Sequence, residues 1–340
     1  MQNFKNLIID NPHTLSLLPT HRCTAACENC CFDCSPKIKQ QMSLTEMKRL
    51  IDETLKTFPS IRVFVVSGGE CTLLGDDLNA IIAYANSKGL STRIVTNAHW
   101  ANTEDAASRI LVALKENGLR EINFSTGDNH QKYVPLKNII NATRVAIQLN
   151  FSNVIIGVEN HPDSKCTEED LSKHPMLKQY VEAQKLQFIS GPWMNFLKSK
   201  TDQYEIGLNK ITVGLCDRCD KLFQTITINP HSQLLACCGL TVEYNKFLKL
   251  GNLQEHSLKE LYDFQFNDVF LLWLYTHGSK YIYEKVKSHK GEKIKNFTHP
   301  CAYCIEIMND PSNRDIIHEI LQSELPRILF RLEMINKKLI

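Results

Sequence analysis

Long apolar runs are scarce in this sequence. The longest stretch of consecutive apolar residues covers positions 269–275, far short of the roughly 20 residues that a helix needs to cross a bilayer. The N-terminus starts with polar residues and has no apolar segment followed by a small-residue cleavage site, so a secretion signal is not indicated. These absences predict a soluble, cytoplasmic protein without a membrane partner.

An excess of charge is also lacking. The formal net charge is +2, which gives none of the electrostatic attraction expected of a protein that binds a nucleic-acid backbone. Gly and Pro number only 14 and 12, and apolar residues make up 43%, so a disordered or collagen-like chain is excluded. The 340 residues are enough for one large or two modest folded domains.

Cysteine, in contrast, is abundant. Thirteen cysteines are more than a cytosolic chain of this length needs for packing, and clustered thiols in a reducing compartment indicate metal binding or catalysis. Two of them, Cys71 and Cys166, stand alone. The others form four groups: Cys23, Cys27, Cys30, Cys31 and Cys34; Cys216 and Cys219; Cys237 and Cys238; and Cys301 and Cys304.

Short β-rich apolar runs recur along the first 200 residues. They cover residues 15–18, 63–66, 93–95, 122–124, 154–158 and 186–189. Helical patterns such as those at 43–57 and 103–116 lie between them. Alternating strands and helices are typical of a parallel sheet. The sequence therefore predicts an α/β fold, a partial (βα)6 barrel related to the TIM barrel, with its site at the carboxyl ends of the strands.

The pattern changes at about residue 205. A hairpin over 223–228 and 233–236 is followed by helical segments at 257–266 and 326–339. We expect a barrel over 1–205, a small Cys-bearing domain over 206–310 and a helical segment over 311–340. Bound metal would compensate for the small core of the second domain.

Two motifs lie directly after the first two strands. The spacing of Cys23, Cys27 and Cys30 lets a short loop hold three thiolates on one iron-sulfur cluster and leaves one iron without a protein ligand, whereas structural zinc sites take four ligands. The second strand ends in Gly68, Gly69 and Glu70. Two glycines permit close backbone approach to a ligand, and a carboxylate can receive an amino group.

These motifs resemble those of the radical S-adenosylmethionine (SAM) superfamily: the CxxxCxxC cluster loop and the GGE sequence. The resemblance implies a 4Fe-4S cluster on the three cysteines, whose open iron binds SAM. It further implies a 5'-deoxyadenosyl radical that abstracts a hydrogen atom from the substrate, and a reductant such as flavodoxin or ferredoxin. Other strand-end residues stand where family members contact SAM: Asn97, Ser125, Asp128 and Glu159.

The later cysteines allow two explanations. Their spacing permits a four-thiolate zinc site built from two CxxC pairs. The segment also resembles the SPASM or twitch domain, although Ser232 stands where that domain usually has Gly. The resemblance implies a small C-terminal domain with an auxiliary 4Fe-4S cluster. Its implied ligands are Cys219, Cys237, Cys301 and Cys304, with Cys216 as the alternate for Cys219.

The adjacent pair Cys237 and Cys238 bears on the reaction. Neighbours on an extended segment point to opposite faces, so if one binds metal the other is free to face the substrate. This pair and the Cys-Cys-Phe-Asp-Cys-Ser-Pro string at 30–36 resemble the radical SAM peptidyl epimerases, which convert L-residues to D-residues in ribosomally made peptides. The resemblance implies that Cys238 returns the hydrogen atom, with Cys237 as the alternative.

Other functions remain open. They are a peptide cross-linking enzyme of the same superfamily, a radical SAM enzyme acting on a small molecule, and a non-catalytic zinc-binding interaction protein. Cys31 and Cys34 have no assigned role. Cys71 stands where the superfamily usually has Pro, and we expect it to be a small side chain in a packed turn, the alternative being a second active-site thiol. Few residues precede Cys23, so we expect a separate protein, or the barrel mouth and C-terminal helices, to recognise a peptide.

Overall fold

A computed structural model of the protein describes residues 11–28, 30–160, 164–192, 218–297 and 299–339. The chain divides into two compact units. The first, here called the barrel unit, contains the described residues within Thr14–Trp193 and Ile228–His231. The second, the C-terminal unit, contains the described residues within 1–13, 194–227 and 232–340.

The described residues form nine strands and eleven α-helices. The strands are β1 (Thr14–Leu17), β2 (Val63–Val66), β3 (Ser91–Thr96), β4 (Glu121–Gly127), β5 (Asn153–Asn160), β6 (Gln187–Pro192), β7 (Thr225–Ile228), β8 (Gln233–Leu235) and β9 (Lys249–Asn252). The helices are α1 (Leu44–Thr57), α2 (Asp76–Ser87), α3 (Glu104–Glu116), α4 (Asp128–Gln131), α5 (Leu136–Gln148), α6 (Glu168–Ser172), α7 (Lys178–Glu182), α8 (Leu258–Phe264), α9 (Val269–Lys290), α10 (Pro300–Asn309) and α11 (Asn313–Asn336).

Strands β1 to β6 form a parallel sheet in which each strand pairs with its neighbour in the sequence. Helices connect successive strands, as the alternating pattern predicts, so the α/β fold with six barrel strands is confirmed. The strands are held by buried apolar side chains, among them Leu15, Phe64 and Ile122, which have no exposed surface. Because all six strands run the same way, their carboxyl ends share one edge, where sites of parallel sheets form.

Side-chain caps fix where the first long helices begin. The Ser43 hydroxyl accepts a hydrogen bond from the Glu46 N–H at 3.2 Å, directly before α1. Thr103 does the same for the Ala106 N–H before α3. Both helices start at the position that the sequence predicts, because such a cap satisfies an N–H that has no partner within the helix.

The C-terminal unit contains an antiparallel pair, β8 and β9, and the long helices α9 to α11. The apolar run at 269–275 opens α9, where Leu272 and Trp273 are wholly buried. The helix is kinked at Gly278, whose φ is 73°. None of the helices in the described ranges is both long enough and apolar enough to span a membrane.

The last helix differs from the prediction. The pattern predicts a helix over 326–339, starting at a proline, whereas α11 runs over Asn313–Asn336 with Pro326 inside it. Proline removes one hydrogen bond from a helix interior. Burial of Ile320, Ile328 and Leu332 along one side of α11 holds the helix together across this position.

Substitution of Ser43, the cap of α1, tests how much a helix cap contributes to the stability of the barrel unit. We expect Ser43→Ala to lower the free energy of unfolding by about 1 kcal/mol, because the Glu46 N–H loses its acceptor. Ser43→Asp should retain the stability, since a carboxylate caps equally well and favours the positive end of the helix. Denaturant unfolding of the three proteins measures the difference, and equal stability of the Ala and Asp variants would contradict the assigned cap.

Candidate functional site

The loop that carries the first cysteine group is fixed to the end of β2 by its backbone. The Gly69 N–H donates to the Thr20 carbonyl and the Glu70 N–H to the Arg22 carbonyl, both at 2.8 Å. A Cβ on Gly69 would lie 2.0 Å from the Arg22 oxygen, and one on Gly68 would lie 2.6 Å from the Thr20 oxygen. The backbone that leads to Cys23 therefore occupies the space that the missing side chains of the two glycines leave open.

Cys23, Cys27 and Cys30 lie on this loop and are each half-buried. Burial is the main reason why the pKa of Cys23 rises to about 11 and that of Cys27 to about 12, and each thiol also feels the charge of Cys30. The three sulfurs therefore act on one another. Among the described residues, no three His, Cys, Asp or Glu side chains converge as around a single bound ion. An iron-sulfur cluster is larger than a single ion, so its cysteine ligands lie farther apart than the ligands of one ion.

Cys34 acts on this group although the sequence assigns it no role. It is buried, its N–H donates to the Cys30 sulfur at 3.4 Å, and its side chain is the main reason why the pKa of Cys30 is lowered. Thiolates are the form in which cysteine binds metal. The loop thus has three half-buried thiols, one of them with a lowered pKa, and these residues fit the donor set of an iron-sulfur cluster.

Glu70, at the end of the β2 segment, has no exposed surface. Its Oε1 accepts hydrogen bonds from the Thr72 N–H, the Thr72 hydroxyl and the Thr96 hydroxyl, the last at 2.7 Å. Its Oε2 accepts the Asn97 N–H at 2.8 Å. These donors compensate for the loss of water around the buried carboxylate. Glu70 thereby joins the end of β2 to the end of β3.

Asn97, the first residue after β3, reaches the cysteine loop. Its Nδ2 donates to the Thr24 hydroxyl at 3.1 Å and lies 3.6 Å from the Cys23 sulfur. Its Oδ1 accepts the His99 N–H at 3.0 Å. The side-chain amide therefore has partners on both sides, and Asn97 is nearly buried.

Three predicted residues lie at the ends of β4 and β5. Ser125 is a half-buried residue of β4. Asp128 accepts the N–H groups of Lys165 and Cys166 at 2.8 and 3.0 Å. Its carboxylate therefore holds the start of the segment that precedes α6.

Glu159 adjoins the cysteine loop. Its Oε1 accepts the Asn129 N–H at 3.1 Å and lies 3.2 Å from His130 Nδ1. The Cys27 sulfur lies 4.0 Å from the Asn129 carbonyl oxygen, and the charge of Glu159 contributes to the raised pKa of Cys27. The structure thus brings the ends of β2, β3, β4 and β5 to one cysteine loop.

A second set of thiols comes together in the C-terminal unit: Cys219, Cys237, Cys301 and Cys304. Burial raises the pKa of each, to about 12 for Cys301, and the charges of the others raise it further for all but Cys219. Cys301 and Cys304 are three residues apart on α10, which places them on one helix face. A Cβ on Gly239 would lie 3.3 Å from the sulfurs of both Cys237 and Cys301.

The remaining residues of this segment take the following positions. Cys216 lies outside the described residues. Cys237 is buried whereas Cys238 is exposed, as alternation along an extended segment predicts. Ser232 has a φ of 57°, the left-handed conformation that glycine adopts more readily, and this agrees with its place in the turn between β7 and β8.

The lone Cys71 is wholly buried in the short 3-10 helix Cys71–Leu74. Its thiol lies 3.3 Å from the Val95 carbonyl oxygen. This confirms that Cys71 is a small side chain in a packed turn.

The sequence of the barrel unit matches a known family. Residues 17–164 match the model of the radical SAM superfamily. This part of the chain is a radical SAM domain. The match contains the cysteine loop, the Gly-Gly-Glu segment and the ends of β3 to β5.

The radical SAM domain has a distant curated relative in Bacillus subtilis (strain 168), named "Putative peptide biosynthesis protein YydG". The two are 23% identical over 155 residues, which is 44% of this chain and 48% of the relative. The match thus spans about half the length of the curated relative.

Two solved structures share the fold over nearly the whole chain. "Native anSMEcpe with bound AdoMet and Cp18Cys peptide" is 16% identical, with a TM-score of 0.51, and the match covers 95% of this chain and 99% of that one. "Native anSMEcpe with bound AdoMet" is 14% identical, with a TM-score of 0.52 and coverage of 94% and 99%. At these identities the likeness shows the fold.

The contact between Gly69 and the loop backbone gives a direct test of the first cysteine group. We expect Gly69→Ala to lose about four iron atoms per chain after anaerobic reconstitution, because a Cβ would push the loop away from β2. Iron and sulfide analysis measures the loss, and circular dichroism checks that the protein is folded.

Gly157→Ala is the matched control. It also adds a methyl group to a barrel strand, within β5, but the nearest atom to its Cβ would be the Phe124 oxygen at an ordinary 3.7 Å. This variant should keep its iron. Full iron content in Gly69→Ala would show that the loop does not depend on this contact.

Proposed function

We propose that the protein is a radical SAM enzyme that converts an L-residue of a ribosomally made peptide to the D-form. The main support for a radical SAM enzyme is the loop of Cys23, Cys27 and Cys30, which is held at the carboxyl edge of a parallel sheet within the region that matches the radical SAM superfamily. These three thiols would hold the 4Fe-4S cluster. Electrons would come from a low-potential protein such as flavodoxin or ferredoxin.

SAM would lie at the strand ends that surround this loop. The residues proposed to surround it are Gly68, Gly69, Glu70, Asn97, Ser125, Asp128 and Glu159. Their roles would differ, because the Glu70 carboxylate is engaged by protein donors and would act through Thr96 and Asn97. Glu159, half-buried beside His130, offers a carboxylate for a polar group of the cofactor.

When bound, the cluster and SAM supply a 5'-deoxyadenosyl radical. This radical can abstract a hydrogen atom, which no side chain of the protein can do alone. The chain's own residues orient the cofactor and keep water away. Burial of Glu70, Thr96 and Asn97 gives this edge of the sheet fixed hydrogen-bonding groups. Groups fixed in advance do not need to reorganise during the reaction.

A peptide substrate is favoured by the name of the curated relative, a peptide biosynthesis protein. Epimerisation is favoured by Cys238, an exposed residue beside the buried Cys237. The thiol of Cys238 has a pKa raised by burial and is therefore held in the protonated form that can donate a hydrogen atom. After a hydrogen atom leaves the Cα of an L-residue, Cys238 would donate a hydrogen atom to the opposite face and become a thiyl radical. One electron from the reductant and one proton from water would restore the thiol.

The auxiliary cluster is part of this proposal. The interaction of Cys219, Cys237, Cys301 and Cys304 supports a four-thiolate cluster. The zinc alternative, built from two CxxC pairs, leaves out Cys237, which lies beside Cys301. Ligation by Cys237 would leave Cys238 free to act on the substrate.

Iron content and SAM cleavage test the two cysteine sets separately. Anaerobic reconstitution should give about eight iron atoms per chain. The variant with Cys23, Cys27 and Cys30 replaced by Ala should keep about half of them and form no 5'-deoxyadenosine with reductant. Iron analysis and chromatography measure both results, and SAM cleavage by this variant would contradict the role of the first group.

Heavy water distinguishes epimerisation from cross-linking. Epimerisation leaves the peptide mass unchanged in ordinary water, but in heavy water an exchangeable thiol returns deuterium, so each event adds one deuterium to the peptide. Cross-linking instead removes two hydrogen atoms. The test uses a short ribosomally made peptide as the substrate, and mass spectrometry with chiral amino-acid analysis measures the product.

Cys238→Ala should still form 5'-deoxyadenosine but should yield no D-residue, because no hydrogen atom is returned. Cys166→Ala, which removes a lone buried thiol, is the matched control and should keep the activity. Full epimerase activity in Cys238→Ala would show that another thiol returns the hydrogen atom. Loss of auxiliary iron in that variant would instead identify Cys238 as a ligand and Cys237 as the donor.

A further inference from the structure

The sulfur of Cys23 has two nitrogen donors near it. The Ala25 N–H donates at 3.4 Å from the same loop, and Asn97 Nδ2 lies at 3.6 Å from the end of β3. Both distances are within the range of hydrogen bonds to sulfur. The second contact joins residues that are 74 positions apart, so it depends on the fold rather than on the loop alone.

The amide of Asn97 has a defined orientation. Its Oδ1 accepts the His99 N–H, and its Nδ2 faces the Thr24 hydroxyl and the Cys23 sulfur. An exchange of Oδ1 and Nδ2 would set the amide nitrogen against the His99 N–H, donor against donor. The surroundings therefore determine which end points to the sulfur.

Glu70 holds Asn97 in place. The Asn97 N–H donates to Glu70 Oε2, and the Thr96 hydroxyl donates to Oε1. Since Glu70 is wholly buried and also bound by Thr72, the carboxylate cannot move without losing several hydrogen bonds. The chain of contacts runs from Glu70 through Asn97 to Cys23.

We propose that Asn97 raises the reduction potential of the first cluster by donating its side-chain N–H to the Cys23 sulfur. This inference rests on the proposed function, in which Cys23 is a cluster ligand. Hydrogen bonds to the sulfurs are among the factors that set cluster potentials. Reduction adds negative charge to the cluster and its thiolates, so a donor stabilises the reduced state more than the oxidised state. Asn97 thus tunes the cluster in addition to lining the proposed SAM site.

A purely structural role for Asn97 makes a different prediction. Asn138 on α5 braces the same turn from the other side, since its Nδ2 donates to the carbonyl oxygens of His99 at 2.9 Å and Ala98 at 3.4 Å. Asn138 belongs to neither the cysteine loop nor the proposed SAM site. If Asn97 only held this turn, loss of either amide would have a similar effect on the cluster.

The test is a redox titration of the full chain with both clusters reconstituted, followed by electron paramagnetic resonance. The first cluster is identified as the signal that changes when SAM is added. In Asn97→Leu we expect the ratio of reduced to oxidised cluster at a fixed potential to fall by about tenfold, the effect of losing one hydrogen bond to a charged group. Asn138→Leu should leave this ratio unchanged, and iron analysis verifies loading of both variants.

Asn97→Asp is the second variant, for the case that Leu disturbs folding. It keeps the shape and the bond from the His99 N–H but replaces the donor with an oxygen, so it should also shift the potential downward. An unchanged potential in the Asn97 variants would overturn the inference, and so would equal shifts in Asn97→Leu and Asn138→Leu. If no signal of the unsubstituted protein responded to SAM, the proposed function itself would fail, and the inference with it.

Discussion

The cysteine loop depends on two backbone hydrogen bonds, from Gly69 to Thr20 and from Glu70 to Arg22. They lie beyond the last paired residues of β1 and β2, and they fix the position of the backbone directly before Cys23. This pairing leaves no room for a side chain at Gly69, because its Cβ would overlap the Arg22 oxygen. A single steric requirement therefore links the Gly-Gly-Glu segment to the position of all three thiols.

The buried carboxylate of Glu70 extends this constraint to the next strand. An ionised carboxylate without water is costly unless donors surround it, and here the donors come from its own turn and from the end of β3. The Glu70 carboxylate, which needs these donors, therefore also fixes the positions of Thr96 and Asn97. The side-chain amide of Asn97, held in this way, in turn contacts the sulfur of Cys23.

Much of this fold can be predicted from the sequence. Apolar runs of strand length and caps such as Ser43 and Thr103 are local signals, and the observed strands and helices follow them closely. Pro326 is the exception, because burial of α11 on both sides of the proline outweighs a local penalty. Signals within one element are therefore reliable except where packing overrides them.

The site could be predicted only in outline. The spacing of Cys23, Cys27 and Cys30 shows which thiols share a loop, but the contact of Asn97 with Cys23 depends on the registers of β1 with β2 and of β2 with β3. The hydrogen bond from the Cys34 N–H to the Cys30 sulfur lies in a loop that includes a positive φ at Asp33, of 53°. Neither can be derived from composition or periodicity.

The two cysteine sets differ in a way that matches the roles proposed for them. The first set is half-buried, which suits a cluster that must leave one iron open to a ligand. In the second set Cys219 and Cys301 are half-buried as well, but Cys237 and Cys304 are buried, and burial raises their pKa well above the usual range. Thiols in such surroundings stay protonated unless a metal binds them. Binding of a metal by the four proposed auxiliary ligands would therefore hold them as thiolates and stabilise the C-terminal unit.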